Sequence, residues 1–273
     1  MIRTGTATRI GGRKANADAV AVEQNPLGLG VAVVDGIGSS EAVCNAARRA
    51  AEQAAIVASH RDAQAGMMAA AETMPSYAGA PNAVAAVVSV DLGRRIEIAH
   101  VGDAAVWTWG PAQGLKRWTV DQTVGEHLRH MLGNPGLTAA SRGALNQALT
   151  EQVVSVMDDY VLNGLTYATV STIAWTPLRD EDQLEDLELV LLTSDGVHKA
   201  LSPKEIEYLV CKSSTDPDAL ADALVDAAVV AGREDADEVA DNATAAVIML
   251  RDHGLGSQQG HAEIDDEVHG YNP

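Results

Sequence analysis

The chain contains no phenylalanine, and aromatic residues make up only 3% of its 273 positions. Its core must therefore be built from Val, Leu, Ile, Ala and Met, with small side chains filling space that rings usually take. Cysteine is nearly absent. Cys44 and Cys211 stand far apart, with no CxxC or Cys/His spacing. That excludes a zinc finger or a disulfide framework; one bridge stays open, and two reduced thiols in or near the core are the simpler reading. Positive charge is scarce as well: 19 Lys and Arg face 38 Asp and Glu, for a formal net charge of -19. A chain this acidic is a poor ligand for phosphate backbones, so nucleic acid is not an expected partner. Long apolar runs are missing. "AVAAVVSV" at 83–90 falls far short of a membrane span, and the opening "MIRTGTATRIGGRKANADA" has no apolar leader region. A cytoplasmic protein with no membrane partner is expected.

What is present reads as strands in runs and helices in pairs. Residues 18–24 and 28–34 form two apolar stretches around Asn25, Pro26 and Gly28, a hairpin signal. From Glu41 to about Thr73 the chain is Ala-rich with helical spacing. Residues 82–90, 96–103 and 104–110 form a meander of adjacent strands, hence an antiparallel sheet. Helical stretches are expected near 124–132 and 138–149, and β-rich pieces such as "LTYATVSTIAW" over 151–180. "LELVLLTSDG" at 187–196 is a further strand. "SPKEIEYLV" opens a helix with Ser202 as N-cap, Pro203 at the first position and Glu205 completing a capping box. A second helix spans 216–232, an acidic loop follows, and "ATAAVIML" is a last strand. Beyond Arg251 the sequence is polar and aperiodic, so 252–273 is expected to be a disordered tail. This order favours α+β over alternating βαβ units. It also removes a weak dinucleotide signal, since Gly28-Leu29-Gly30 precedes its strand instead of following it.

The chemistry concentrates at strand ends. Asp35 closes "GLGVAVV" and is followed by Gly36-Ile37-Gly38; Asp103 closes "IEIAHVG"; Asp195 closes "LELVLLTS"; Asp241 and Asn242 precede "ATAAVIML". Each Asp alone is more often a turn or cap residue. Four at the ends of buried-looking strands are costly without partners, and the cation supply is thin. Oxygen-rich sites of this kind suit hard cations, Mg2+ or Mn2+.

These residues resemble the metal-dependent protein phosphatases (PPM, type 2C), as a bacterial-type member. "RKANADA", "VAVVDGIG", "IAHVGDAAVWTW", "WTVDQT", "LVLLTSDGVHKALSPKEI" and "DNATAAVIML" are similar to that family's motifs and occur in its order over residues 3 to 251. The resemblance implies a phosphatase domain over 1–251. Its fold would be a four-layer α-β-β-α sandwich, with two central antiparallel sheets flanked by helix pairs. It implies a cytoplasmic signalling hydrolase that removes phosphate from phosphoserine and phosphothreonine of a protein substrate, using water activated by two Mn2+ or Mg2+ ions. Asp35 would bridge the ions, the Gly36 carbonyl, Asp195 and Asp241 would be ligands, and Arg13 would hold the phosphate. Asp18 would support the bound waters, and Asp103 would help a third, weaker ion.

Departures from the family pattern motivate an alternative, a catalytically weakened or inactive phosphatase-like binding module. Ala17 stands where an acid is common. Lys199 stands where a second acid for the third ion is common, and a lysine opposes a cation. Ser39 and Ser40 replace a Gly-His, and "APNAV" at 80–84 replaces a more usual G-T/S-T-A. Because Arg13, Asp35, Gly36, Asp195 and Asp241 all persist, activity is the favoured reading. His100 and His198 flank motifs and are weaker candidates for a general acid. His127 and His130, three apart on an expected helix, lack a third metal ligand nearby. No G-x-S-x-G elbow or phosphate-loop Cys supports a covalent mechanism.

Overall fold

A computed structural model describes residues 2–250, apart from 134, 135, 137, 139, 142, 144–148, 150, 179–185, 214 and 235–238. Ten strands form two antiparallel sheets of five. One sheet has the order β2 (Asp18–Asn25), β3 (Gly28–Gly36), β4 (Ala83–Asp91), β5 (Ile96–Val101) and β8 (Ala174–Leu178). The other runs β1 (Arg3–Arg9), β10 (Ala243–Met249), β9 (Leu189–Thr193), β6 (Ala105–Gly110) and β7 (Gly114–Arg117). Helices α1 (Glu41–His60) and α2 (Ala63–Glu72) cover the first sheet. Helix α3 (Val124–Gly133) and α4 (Glu151–Val156) belong to the connection between β7 and β8. The short α5 (Asp195–His198) follows β9, and α6 (Pro203–Lys212) and α7 (Pro217–Glu234) cover the second sheet. No helix among the described residues is long and apolar enough to cross a membrane.

The strands read as continuously apolar because both of their faces are buried. Along β3, Leu29, Val31 and Val33 point between the sheets, while Ala32 and Val34 point at α1. Along β9, Val190 and Leu192 point between the sheets, while Leu189 and Leu191 meet the α6–α7 layer. Three apolar layers thus separate four structural ones, and the expected α-β-β-α sandwich is the observed architecture.

The missing phenylalanines have a visible consequence. The buried face of α1 is almost all alanine, from Ala46 through Ala58, so the helix sits close on its sheet. Gly30 of β3 lies directly beneath it. A Cβ there would approach the Ala55 carbonyl oxygen to 2.1 Å.

Some expectations need correction. Of "LTYATVSTIAW", only the end enters β8; Leu165–Tyr167 is a 3-10 turn, and Glu151–Val156 is helical. Threonine-rich composition favours strands, but those residues meet no strand partner and close local side-chain bonds among Thr169, Ser171 and Thr172 instead. The expected meander over 82–110 breaks after β5: β6 crosses to the other sheet, where it pairs with β7 and β9. The short strand β7 and the polar strand β1 were not anticipated. Cys44 and Cys211 are both free, and Cys211 is exposed, not in the core. The helix expected over 138–149 lies largely outside the described residues, as does the tail 252–273.

Candidate active site

The two sheets bring their strand ends together at one edge of the sandwich. Asp18 opens β2 and Asp35 nears the end of β3, and the antiparallel register sets them directly opposite each other. On the other sheet, β9 leads through Ser194 into Asp195 at the start of α5, and Asp241 and Asn242 lead into β10. Asp103 follows β5 in a tight turn. Arg13, Asp35, Asp103, Asp195, Lys199 and Asp241 line one cavity of about 410 Å3. Residues spread over more than two hundred positions therefore meet, and they include every one singled out from the strand ends.

The loop that carries Arg13 is held by Asn242. Its Oδ1 accepts the Ala17 N–H at 2.8 Å, and its Nδ2 donates to the carbonyls of Ile10 at 2.8 Å and Ala15 at 3.2 Å. Gly12 adds a backbone bond to Ala240. Gly11, with a φ of 62°, makes the turn, and a Cβ there would meet the Asp241 carbonyl at 2.1 Å. Asn242 was not anticipated as a positioning residue; a buried Asn beside Asp241 was the available signal.

The substituted motif positions have structural roles. Ser40, where a histidine was expected, caps α1 by accepting the Val43 N–H at 3.3 Å. Ala17 is buried, and its carbonyl accepts the Gly36 N–H at 3.2 Å. A Cβ on Gly36 would lie 2.6 Å from Val43 Cγ1 and 2.8 Å from the Ala17 carbonyl. Glycine is therefore required there by packing behind the cavity. Asn82, from the divergent "APNAV", accepts the Thr166 N–H at 3.0 Å, and its carbonyl accepts the Ile37 N–H at 2.9 Å. It ties the loop after Asp35 to the segment before β8.

Two cations of the chain face this acidic cluster. Arg13 Nη2 is 2.6 Å from Asp241 Oδ2, and this bond raises the guanidinium pKa further. Lys199 Nζ is 2.9 Å from Asp195 Oδ2, 3.2 Å from Asp103 Oδ2 and 3.7 Å from Asp159 Oδ1. Burial opposes the lysine's charge, but Asp195 and Asp103 outweigh it and raise its pKa. Burial would also raise Asp195, yet Lys199 beside it brings its carboxyl below the ordinary value.

Asp18 and Asp35 lack such compensation, and for Asp103 the lysine offsets burial only in part. Asp18 is buried with neither carboxylate oxygen hydrogen-bonded in good geometry, and burial pushes it up to about 7, against partial relief from the Ser194 and Thr244 hydroxyls. Asp35 is pushed well above the usual range, first by burial, then by the charges of Asp18 and Asp195. Asp103 rises to about 6, chiefly by burial. Without further cations Asp18 is only partly ionised at neutral pH, and Asp35 is biased toward its protonated form.

Among the described residues no three His, Cys, Asp or Glu side chains converge as they would around a bound ion. The reason is visible in the ion pairs: Arg13 draws on Asp241, and Lys199 draws on Asp195 and Asp103. The donor chemistry still fits a hard divalent cation. All the donors are oxygens, from carboxylates and the Gly36 carbonyl, and the buried oxygens of Asp18 have no hydrogen-bond partner of good geometry.

The histidines fall outside the chemistry. His198 is half-buried beside Trp107 with its Nε2 shut away from solvent, its Nδ1 lies 3.0 Å from Thr193 Oγ1, and desolvation lowers it to about 3. His100 is buried with Nε2 2.9 Å from the Val120 carbonyl. His127 and His130 are exposed on α3, and no metal-binding trio includes them among the described residues.

Comparison with solved structures resolves the architecture. A serine/threonine phosphatase from S. agalactiae superposes with a TM-score of 0.69 at 18% identity, covering 92% of this chain and all of that one. The phosphatase Stp1 from Staphylococcus aureus gives 0.66 at 17%, covering 92% and 96%. The PPM Ser-Thr phosphatase MsPP from Mycobacterium smegmatis, in complex with cacodylate, gives 0.62 at 19%, covering 92% and 98%. This chain has the PPM phosphatase fold. No family model and no curated protein matches its sequence.

Proposed function

We propose that the protein is a metal-dependent phosphomonoesterase acting on phosphoserine or phosphothreonine of protein substrates. The observation that carries this reading is one cavity, at the sheet edge of a PPM fold, that gathers Asp35, Asp195 and Asp241 with Arg13. Asp35 with the Gly36 carbonyl, Asp195 and Asp241 would hold Mn2+ or Mg2+. Such ions, when bound, lower the pKa of water and neutralise phosphate charge. The chain's own groups do the rest. Arg13 is half-exposed, and its bond to Asp241 occupies one of five guanidinium donors, so the fork keeps donors for two phosphate oxygens. Asp18 contributes two acceptor oxygens with no protein partner, suited to orienting the attacking water. Added positive charge would favour the ionised forms of Asp18 and Asp35, so ion binding and ionisation of these acids are coupled. Residues 1–251 would act as one phosphatase domain.

The test is hydrolysis of p-nitrophenyl phosphate and of a phosphothreonine peptide. Turnover should require Mn2+ or Mg2+, stop with EDTA, and disappear in Asp35→Asn and Asp195→Asn. Metal-independent turnover, or wild-type rates in those variants, would overturn the reading. Peptide binding without turnover would replace it by a phosphoprotein-binding module.

A further inference from the structure

Lys199 holds a position that nothing else in the cavity can share. Its ammonium has three N–H donors and faces three carboxylates: Asp195 at 2.9 Å, Asp103 at 3.2 Å and Asp159 at 3.7 Å. Two of these partners are deeply set. Asp103 has a side-chain exposure of 5% and Asp195 of 19%, whereas the lysine itself is 38% exposed. The three acids come from separate places: the turn after β5, the start of α5, and a 3-10 turn at Met157–Asp159. Three carboxylates from three segments thus face one point, though they are not drawn in closely enough to form a ligand trio for one ion. Here the point is filled by a side chain anchored one helical turn from Asp195, with its backbone N–H bonded to the Asp195 carbonyl at 2.8 Å.

We propose that Lys199 is a tethered cation that takes the place of a divalent ion between Asp103 and Asp195. A divalent ion at that point would lose both acceptors to the ammonium and would face its charge at contact distance. Asp103 is then the lysine's partner and not a metal ligand. Asp195 gives Oδ2 to the lysine and keeps its other oxygen for the Asp35 side of the cavity. The ammonium also fixes the Met157–Asp159 turn to the cavity rim through Asp159 without any metal. The expected third ion at Asp103 is thereby excluded by the chain itself. The proposal rests on the reading above in one respect, that this cavity takes divalent ions at all.

The experiment counts Mn2+ bound per chain, by electron paramagnetic resonance of the free ion during titration of the full-length protein. Lys199→Met removes the ammonium and keeps the length of the apolar stem. It should bind one more Mn2+ per chain than the wild type, and Lys199→Met combined with Asp103→Asn should lose that gain. An equal count in wild type and Lys199→Met, with both above zero, would overturn the tethered cation and leave the phosphatase reading standing. No ion in the wild type but one in Lys199→Met would uphold the tethered cation and overturn the phosphatase reading. No ion in either would overturn both. Should Lys199→Met fail to fold, Asp103→Asn in the wild-type background decides. Its Mn2+ count and affinity should match wild type, and a lost ion or a tenfold weaker affinity would make Asp103 a metal ligand and refute the proposal.

Discussion

Asp18→Asn should stabilise the metal-free protein, and increasingly so as pH rises. Asp18 has no hydrogen-bond partner of good geometry, and burial moves it from the ordinary 3.8 to about 7. An acid raised in this way keeps its proton in the native state while the unfolded chain has already ionised. The native state therefore binds more protons across the window from about pH 4 to 7, and stability falls as pH climbs through it. At 1.36 kcal/mol per pH unit, the whole displacement is worth about 4 kcal/mol. Measurements should start at pH 5.5, above the isoelectric point near 4.6. From there to pH 8 about 1.5 pH units of the window remain, or about 2 kcal/mol. Repulsion within a chain of net charge -19 has the same sign, so the wild-type slope alone does not isolate Asp18. The difference between the two proteins does. Urea unfolding in EDTA should show Asp18→Asn gaining about 2 kcal/mol on wild type between pH 5.5 and 8. Saturating Mn2+ should shrink that gain, because a cation stabilises the ionised Asp18 that the variant lacks. A constant gap across this range would refute the account of Asp18 as a buried acid awaiting positive charge.

Asn242→Ala removes three side-chain hydrogen bonds that hold the loop from Ile10 to Ala17, and should cost about 3 kcal/mol. Trypsin should also cut faster at Arg13 and Lys14; an unchanged digestion rate would mean that the loop is held by other contacts. Gly30→Ala drives a methyl group to 2.1 Å from the Ala55 carbonyl oxygen and 2.6 Å from the Ser59 nitrogen, both backbone atoms of α1. It should lower stability by roughly 1–3 kcal/mol, while Gly133→Ala, with no atom within 4 Å of the new Cβ, should be near neutral. Equal midpoints in thermal melts of the two variants would refute the close seating of α1.

The central strands were legible because burial on both faces leaves a continuous apolar run, and β3, β4, β9 and β10 each show one. β1 was not, since "RTGTATR" has few apolar residues and takes its strand identity from the register with β10. The segment from Glu151 to Val170 misled for a related reason. Its Val153, Val156, Tyr160, Tyr167 and Val170 are exposed, and of its apolar side chains only Val154 and Leu165 are deeply buried, so the core constrains few of the conformations that its composition allows. Tertiary pairing, not local propensity, decided both cases. Ser40 and Asn82 are instructive in another way. As departures from a motif they read as losses of function, yet each closes bonds that the local chain needs, one at the start of α1 and one beneath Thr166.

The carboxylates were legible because an acid at the end of a buried strand conflicts with its surroundings, and such conflicts collect where chemistry happens. What was not legible is how the chain divides its own positive charge among them. Five acids, Asp18, Asp35, Asp103, Asp195 and Asp241, meet two basic side chains, and the pairing is uneven. Lys199 serves the Asp103–Asp195 side. Arg13 reaches Asp241. Asp18 and Asp35, paired across β2 and β3, receive no cation, and burial raises both, whereas the rise at Asp103 is offset in part by its lysine. The unmet demand for positive charge is thus confined to one side of the cavity. On the function proposed above, a divalent ion would gain most there, and so would a phosphate brought in beside it by Arg13. Lysine at position 199 would then remove the competing place without removing the acids that formed it, and would direct both ion and substrate to the Asp35 side.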